Sequence, residues 1–593
     1  MVKPTTTSNA RLAFRSEGFA TLAEGLDYAA GGETGVNFFG PRGDLLRALS
    51  YAELRGLALD FAARLAATRL KRGDRVGIVA ETGPDFLVAF FGCQYAGFVP
   101  VPLPLSINFG GREAYVERLR GMLLAAGARA AIASADLLGT LQEAARPTAT
   151  AFVATVRDLM DGPCVGGGLA PLGAGDPCYI QYSSGSTSFP RGVLVTQSAI
   201  AANARAIAVD GIALRQGDRC TSWLPLYHDM GLVGCCLTPI LNQISVDYLA
   251  TTSFARRPFV WLKLLSDMGG TISFSPTFGY ELCARRAENG QVPALDLGRW
   301  RVAGIGGEMI RANALQRFAE TFAPLGFDPR AFLPSYGMAE ATLAVTFAKR
   351  GRGVTIDRVA RGEALERRKV AEPARTASAP IRDFVVCGRP MPGYAVEVRD
   401  AHDNPLPERH VGRVCIQGPS LMDGYFRNAD ATRAAITPDG WLDSGDLGYM
   451  MHGELVVTGR SKDLIILGGR NIWPQDLEWA VERLDRVRAG DVAAFAVTGE
   501  EDEERLVVLV ECRTRDPLEQ VTLRRAVQAT VQRVAGAEAT VVLVPVRSLT
   551  FTTSGKLSRA TAKGHYESGL LRDVAEAYEA GTAVPVEAFA ATA

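Results

Sequence analysis

The segment Tyr182–Gly192, which reads YSSGSTSFPRG, combines hydroxyl residues, glycines and one arginine directly after an apolar strand pattern. Backbone N–H groups and hydroxyls in such a loop can bind phosphate oxygens, and a nearby guanidinium adds positive charge. The residues concerned are Ser183, Ser184, Gly185, Ser186, Thr187 and Arg191. The GxxxxGK[ST] spacing is absent, which disfavours the chemistry of P-loop NTPases. By itself a Ser/Gly-rich stretch is more often a simple turn, so this interpretation depends on the other motifs.

Five further motifs could supply the remaining groups of a nucleotide-activating site. They are SWLPLYHDMG at 222–231, PSYGMAEATL at 334–343, GWLDSGDLG at 440–448, TGRSKDLIILGGRNIWPQDLE at 458–478 and TTSGKLSR at 552–559. Their candidate groups are the imidazole of His228, the ring of Tyr336, the carboxylates of Glu340, Asp443 and Asp446, and the ammonium of Lys556. A lone histidine in an apolar segment is more often a packed core residue. The combination of phosphate loop, flat ring, carboxylates and lysine nevertheless indicates an enzyme that activates a nucleotide.

These motifs, in this order across nearly the whole chain, closely resemble the acyl-adenylate-forming (ANL) superfamily, and within it the fatty acyl-AMP ligases. The resemblance implies that ATP, with Mg²⁺, activates a medium- or long-chain fatty acid to acyl-AMP and pyrophosphate. The acyl group would then pass to the phosphopantetheine of an acyl carrier protein. Because only 23 residues follow Leu570, we expect that carrier to act in trans.

The resemblance also implies roles for individual residues. The residues that would bind ATP or AMP are Ser183, Ser184, Gly185, Ser186, Thr187, Arg191, Gly306, Gly307, Glu308, Tyr336, Gly337, Met338, Asp446 and Arg460. The implied catalytic side chains are Lys556, His228 and Arg460. The acyl tunnel would be lined by His228, Ser275, Thr277 and Tyr280, and Glu340 would hold Mg²⁺.

Some positions depart from the common pattern of the superfamily. Ser188 and Arg191 stand where most of the superfamily has Gly and Lys, and both changes resemble the fatty acyl-AMP ligase version of the loop. Ile305 and Met309 replace the Asn and Pro that are more usual on either side of Gly306–Glu308, the residues implied to line the adenine pocket. Ile466 stands where relatives that form CoA thioesters usually carry a lysine.

Two alternatives remain open from the sequence. An acyl-CoA synthetase would share the first half-reaction and differ in the thiol acceptor. The segment Lys349–Asp383 resembles the insertion that restrains the C-terminal domain of fatty acyl-AMP ligases, although it could instead be a long solvated loop. A non-catalytic binding homologue is disfavoured, because it would have no reason to keep charged groups that are costly to bury, namely Lys556, Asp446, Glu340 and Arg460.

The pattern of elements predicts an α/β fold of the ANL type. Up to about residue 383, buried strands such as Gly73–Ala80 alternate with helices such as Pro84–Tyr95, which indicates mostly parallel sheets. Short strands and turns follow, and then a compact α+β pattern begins near Gly459–Asp463. We therefore expect a large N-terminal domain over residues 1–459, with two α/β subdomains plus a β-lobe, and a small mobile C-terminal domain over 460–593.

Composition excludes several other classes of protein. The 593 residues contain 64 basic and 64 acidic side chains, so the chain has no general electrostatic attraction to nucleic acid or to an anionic membrane. Its ten cysteines include no CxxC pair, and the N-terminus lacks the apolar stretch of a signal peptide, so we expect a cytoplasmic protein with reduced thiols. The uncharged stretch Phe86–Gly111 contains three prolines, which favours a buried helix and strand over a membrane span.

Overall fold

The computed structural model describes residues 3–6, 12–105, 111–164, 168–183, 190–288, 290, 292–375, 380–498, 504–552, 556–571 and 573–574. Ser184, Gly185, Ser186 and Thr187 of the predicted phosphate loop lie outside the described residues, whereas Ser183 and Arg191 at its two ends lie within them.

Helices are spread over the whole described chain. The α-helices are α1 Leu22–Ala29, α2 Tyr51–Ala66, α3 Pro84–Ala96, α4 Arg112–Ala126, α5 Ala135–Ala145, α6 Val156–Met160, α7 Gln197–Ala206, α8 Thr238–Leu241, α9 Thr251–Arg256, α10 Phe259–Asp267, α11 Thr277–Glu288, α12 Ala312–Phe322, α13 Glu363–Glu366, α14 Ala429–Ala435, α15 Pro474–Val481, α16 Pro517–Ala535 and α17 Arg559–Glu567. Two segments are π-helical, Ile207–Gly211 and Met230–Leu237. Short 3₁₀ turns occupy Ala323–Leu325, Pro329–Ala331, Ala339–Ala341 and Ser461–Asp463.

Strands alternate with these helices in the first part of the chain and dominate its middle. They are β1 Gly35–Phe39, β2 Leu45–Ser50, β3 Arg75–Val79, β4 Val99–Leu103, β5 Ala130–Ile132, β6 Phe152–Ala154, β7 Pro177–Tyr182, β8 Gly192–Thr196, β9 Arg219–Ser222, β10 Ser245–Leu249, β11 Ile272–Ser275, β12 Val302–Ile305, β13 Phe332–Gly337, β14 Ala344–Phe347, β15 Ile356–Ala360, β16 Ile381–Val385, β17 Arg389–Pro390, β18 Ala395–Arg399, β19 Gly412–Gln417, β20 Gly424–Tyr425, β21 Leu442–Met451, β22 Glu454–Arg460, β23 Ile465–Leu467, β24 Arg470–Ile472, β25 Val492–Thr498, β26 Glu504–Cys512 and β27 Ala539–Pro545.

Two parallel-rich sheets form the α/β part of the N-terminal region. The larger sheet has the strand order β17-β14-β13-β12-β11-β9-β10-β1-β2, and its central pairs from β13 to β1 are parallel. The smaller sheet, β4-β3-β5-β6, is parallel throughout. The alternation of strands and helices in the sequence therefore predicts the sheet type correctly, because parallel neighbours require crossover connections.

The uncharged stretch forms α3 and β4, both of which are buried. Pro84 begins α3 at a position where its missing N–H costs nothing, and Gly97 ends the helix in the left-handed conformation with φ +79°. No helix among the described residues is long and apolar enough to cross a membrane. All ten cysteines are described and free of disulfide bonds.

The β-lobe contains the antiparallel sheet β18-β19-β21-β22, and the chain enters the C-terminal domain at the end of β22. That domain packs α15 and α16 around the sheet β25-β26-β27 and has its own apolar core. The exact division at residues 459 and 460 stays a prediction.

The described part of the segment Lys349–Asp383 is folded, so the alternative of a long solvated loop is wrong. Strand β15 pairs with β16, and Val359, Leu365 and Ala371 are buried. These three side chains share one apolar cluster with the β-lobe and with Trp473 of the C-terminal domain. The segment thus contacts both domains.

Candidate active site

A cavity of about 780 Å³ opens at the carboxyl ends of β11, β12 and β13 and is covered by the C-terminal domain. In doubly wound sheets, ligands bind at this edge of the strands. The predicted site residues that line it are Ser183, Arg191, His228, Gly306, Gly307, Glu308, Tyr336, Gly337, Met338, Glu340, Asp446, Arg460 and Lys556. Residues from six sequence motifs therefore meet in one cavity.

Asp446 is the centre of a hydrogen-bonded group on one wall. Its Oδ2 accepts a hydrogen bond of 2.8 Å from the Tyr336 hydroxyl, and its Oδ1 lies 3.2 Å from Nε of Arg460. The antiparallel register of β21 and β22 places Asp446 directly opposite Arg460. The carboxylate raises the pKa of the Arg460 guanidinium, so this cation stays charged. The wall presents a flat ring, an acceptor and a fixed cation, as binding of a nucleoside requires.

Glycines let the backbone approach this wall closely. Gly307 has φ +79°, a conformation that a residue with Cβ adopts only under strain. A Cβ on Gly337 would lie 1.8 Å from the carbonyl oxygen of Leu343, so no larger residue fits there. Glu308 follows Gly307, and its Oε1 accepts the N–H of Phe278 at 3.0 Å. Burial raises the pKa of the Glu308 carboxyl.

His228 and Asp229 form a second polar group at the cavity. Nδ1 of His228 lies 2.7 Å from Oδ1 of Asp229, which also accepts the N–H of Met230 at 2.7 Å. Burial acts to raise the pKa of Asp229, but His228, Lys556 and the Met230 N–H together outweigh it and leave this pKa below its usual value. A charged carboxylate thus orients the imidazole.

Glu340, the predicted Mg²⁺ ligand, is buried beside the predicted phosphate site. Its Oε1 accepts a 2.8 Å hydrogen bond from the Tyr425 hydroxyl, and the Arg191 guanidinium lies 5.1 Å from the centre of the Tyr425 ring. Burial raises the pKa of the Glu340 carboxyl, which means that its charged form lacks full compensation. Mg²⁺ is commonly held by one or two carboxylates together with substrate phosphates and water, so a single carboxylate here fits that ion.

Lys556 reaches the cavity from the C-terminal domain. The Thr552 N–H donates to the Lys556 carbonyl at 2.7 Å, and Phe551 forms an antiparallel bridge with Leu557, so the backbone of this lysine is held in place. Burial lowers the pKa of its ammonium, and so does Arg460, whereas Asp229, Glu308 and Asp446 raise it. The lysine therefore faces the carboxylates of the N-terminal domain across the cavity.

An apolar branch of the cavity runs away from these charges. Its lining includes Ile207, Ile212, Leu214, Cys220, Ile244, Ile272, Phe274, Leu343 and Phe347. Both π-helical segments contribute to this wall, through Ile207 and Gly234. An apolar branch with this lining can hold an alkyl chain, because burial of each CH₂ stabilises by about 0.8 kcal/mol.

The predicted tunnel residues Ser275, Thr277 and Tyr280 do not line the cavity. Tyr280 is fully buried, donates to the Gly304 carbonyl at 2.9 Å and packs in an aromatic cluster with Trp261, Trp300 and Phe318. On α11 the side chains that face the cavity are instead those of Phe278, Glu281, Leu282 and Arg285. Thr277 and Tyr280 lie on the face of α11 that packs into the core, and Ser275 ends β11, so a role of these three residues in binding the acyl chain stays a prediction.

The chain matches the model of the family described as "AMP-binding enzyme" over residues 36–426, which is more than half of its length. The chain belongs to this family. Its predicted ANL-type fold is confirmed by a solved chain from a study of fatty acyl-adenylate ligases from E. coli and L. pneumophila. That chain is 43% identical and has a TM-score of 0.89. The match covers 94% of the present chain and 100% of the solved chain. The resemblance to fatty acyl-AMP ligases is thereby also confirmed.

Two curated relatives of this AMP-binding enzyme carry different names. One, from Caulobacter vibrioides, is provisionally named an acyl-CoA synthetase and is 46% identical over 97% of this chain and 99% of its own length. The other, from Moorena producens, is named medium-chain-fatty-acid–[acyl-carrier-protein] ligase JamA. It is 32% identical over 89% of this chain and 91% of its own length. These names leave the thiol acceptor as the question to be decided.

We expect Asp446→Ala to weaken the binding of ATP by about 10-fold to 100-fold, because a hydrogen bond to a charged group contributes about 1.5–3 kcal/mol. Calorimetric titration with ATP measures this. Asp439→Ala is a suitable control, since Asp439 pairs with Arg399 outside the cavity and is more than half exposed. If the Asp446 variant keeps the affinity of the wild type, Asp446 only fixes the turn and Tyr336.

Proposed function

We propose that this AMP-binding enzyme is a fatty acyl-AMP ligase. It joins a medium- or long-chain fatty acid to the α-phosphate of ATP and then transfers the acyl group to the phosphopantetheine thiol of a carrier protein in trans. The observation that supports the proposal most is the joining of two sites in one cavity. The apolar branch opens into the wall formed by Tyr336, Asp446 and Arg460, where Lys556 also reaches the cavity.

In the first half-reaction a carboxylate oxygen of the fatty acid attacks the α-phosphorus of ATP. The new bond is a P–O bond to the acyl oxygen, and the bond that breaks joins the α-phosphorus to the bridging oxygen, which leaves with pyrophosphate. The barrier is largely electrostatic, because an anion approaches a polyanion. Lys556 and Arg191 lie at the cavity from opposite domains and would neutralise this charge. His228, fixed by Asp229, would orient the carboxylate at the mouth of the apolar branch.

Glu340 would hold Mg²⁺, and the ion when bound would supply further positive charge to the phosphates. The fit rests on the buried carboxylate itself, because burial raises its pKa more than the Tyr425 hydroxyl and the charge of Arg460 lower it. Asp229 adds a second negative charge near Glu340. We propose a cytoplasmic location as well, because nine buried cysteines that form no disulfide bond suit a reducing compartment.

For the acceptor, the contacts of the segment Lys349–Asp383 support a carrier protein over CoA. Arg361 and Arg382 of this segment lie 3.5 and 3.0 Å from the two carboxylate oxygens of Asp476, at the start of α15. The Arg382 guanidinium lies between the rings of Phe384 and Trp473, 4.4 Å from each centre. A C-terminal domain held in this way would resist the rotation that brings the CoA thiol to the acyl-adenylate.

The test supplies ATP, Mg²⁺ and a panel of fatty acids, and compares CoA with a phosphopantetheinylated carrier protein as acceptor. We expect acyl-carrier product and little acyl-CoA. If the wild-type protein forms acyl-CoA at a rate close to its adenylation rate, the acyl-CoA synthetase function named for the Caulobacter vibrioides relative takes its place.

A further inference from the structure

A buried cluster of three charged side chains joins the two domains at the wall of the same cavity. Nη1 of Arg311, just before α12, lies 3.3 Å from Oε2 of Glu281 on α11 and 3.2 Å from Oε2 of Glu482 at the end of α15. The side chains are only 18%, 12% and 10% exposed in that order. The Arg311 guanidinium therefore lies between two carboxylates that the closed domains bring together, while Arg285 lies 4.0 Å from the other carboxylate oxygen of Glu281.

The cluster is continuous with the residues that hold Lys556. The Gly490 N–H donates to the other carboxylate oxygen of Glu482 at 2.6 Å. The ring of Phe551 lies against Gly490, only 3.5 Å from where a Cβ would stand. Phe551 precedes Thr552, whose N–H donates to the Lys556 carbonyl. A shift of Glu482 would therefore also move the residues that hold Lys556.

We propose that Arg311 is a positioning residue for adenylate formation: by neutralising Glu281 and Glu482 together, it holds the C-terminal domain where Lys556 reaches the cavity. This inference rests on the proposed adenylation. Two carboxylates that both lie within 3.3 Å of one guanidinium nitrogen repel each other when both are ionised and buried. Without the guanidinium, closure of the domains would leave that repulsion uncompensated.

The charges around Glu482 support this assignment. Burial is the largest cause that raises the pKa of the Glu482 carboxyl, Glu478 and Glu281 also raise it, and Arg311 and the Gly490 N–H lower it, which leaves this pKa at about 7. Glu478 forms its own ion pair with Arg559 at 2.6 Å, whereas Glu482 forms its ion pair with Arg311 at 3.2 Å. In an open orientation the carboxyl returns to water, and its pKa falls back towards 4.5.

Closure consequently takes up a proton at Glu482. Because the pKa of Glu482 is higher in the closed state than in the open state, protonation of this carboxyl favours closure. That favourable free energy is fully present below the open-state pKa and is lost as the pH rises through about 7. Removal of Arg311 raises the closed-state pKa further. The loss of function should therefore be large at alkaline pH and small at acidic pH.

The test compares Arg311→Gln, Glu482→Gln and the double variant by fatty-acid-dependent exchange of pyrophosphate into ATP, at about pH 6 and about pH 8.5. At the higher pH we expect Arg311→Gln to lower kcat at least about tenfold, as expected for an orientation shifted by uncompensated charge. Lowering the pH or adding Glu482→Gln should restore most of that loss. Arg317→Gln, on the exposed face of α12, is the matched control.

Two results would overturn the inference. One is an Arg311→Gln variant that keeps more than about half of the wild-type rate at the higher pH, and the other is a loss that neither acid nor the second substitution relieves. If the wild type itself shows no exchange with any fatty acid, the proposed function fails instead.

A measurement of the distance between the two domains tests the inference even if the wild type or a variant shows too little pyrophosphate exchange. Spin labels at Leu46→Cys and Leu518→Cys, both exposed positions, report the orientation of the domains in a Cys164→Ser background. With an acyl-sulfamoyl-adenosine as the bound probe, Arg311→Gln should broaden or lengthen the distance at about pH 8.5 and Arg317→Gln should not. Identical distances in wild type and Arg311→Gln overturn the inference.

Discussion

Lys556→Ala should lower the rate of acyl-AMP formation by about 10²–10³, because it removes a charge-assisted contact made mainly in the transition state. The structure supports this magnitude. The ammonium is the group that the C-terminal domain brings towards Asp229, Glu308 and Asp446, and burial already lowers its pKa. The fold should survive, since the side chain projects into a cavity and is not part of an apolar core.

Exchange of labelled pyrophosphate into ATP, with a fatty acid present, measures this rate. Lys563→Ala is the matched control, because Lys563 lies on α17 of the same domain, is 40% exposed and pairs with the exposed Glu567. A Lys556 variant that exchanges at more than half of the wild-type rate would remove this lysine from the site.

Asp476→Ala should switch the enzyme from a negligible to a measurable rate of acyl-CoA formation. The substitution leaves Arg361 and Arg382 of the segment Lys349–Asp383 facing the C-terminal domain without their anion. Loss of one partner of a buried ion pair costs about 3–5 kcal/mol, and about 3 kcal/mol already changes the ratio of two orientations by roughly 10². Burial lowers the pKa of Arg382 to about 10, so its charge persists at neutral pH.

The measured quantity is the ratio of acyl-CoA formed to acyl-AMP formed, because looser domains also slow the first half-reaction. Asp430→Ala is the control, since Asp430 forms a surface ion pair with Arg433 in which both side chains are largely exposed. A point substitution is preferable to deletion of the segment, which contributes Val359 and Leu365 to a buried core. An unchanged ratio would show that the segment does not decide the acceptor.

Much of the fold is predictable from local pattern. Helix α3 starts at Pro84 as predicted and ends at Ala96, one residue beyond the predicted end, because Gly97 takes the left-handed conformation that ends a helix. The π-helical segment Met230–Leu237 is not predictable, since its side chains are apolar on nearly every side and show no helical period. Strand β1 was also missed, because the chain pairs it with β10, more than two hundred residues away.

The residues of the site also differ in how far they could be predicted from the sequence. Residues within motifs, such as Asp446 and Lys556, line the cavity. Tyr280 lies in the core instead, because the sequence does not tell which face of α11 packs there. Tyr425 and Arg311 belong to no motif and acquire their roles only through contacts with Glu340 and Glu482 that are distant in sequence.

The most direct test of the central claim is identification of the products formed from ATP, Mg²⁺ and a fatty acid without any thiol acceptor. Mass spectrometry of the reaction should show acyl-AMP and an equal amount of pyrophosphate, and neither product should form when the fatty acid is omitted. Formation of ADP and phosphate, or no turnover of ATP with fatty acids of any chain length, would contradict the assignment of this cavity to fatty acyl-AMP formation.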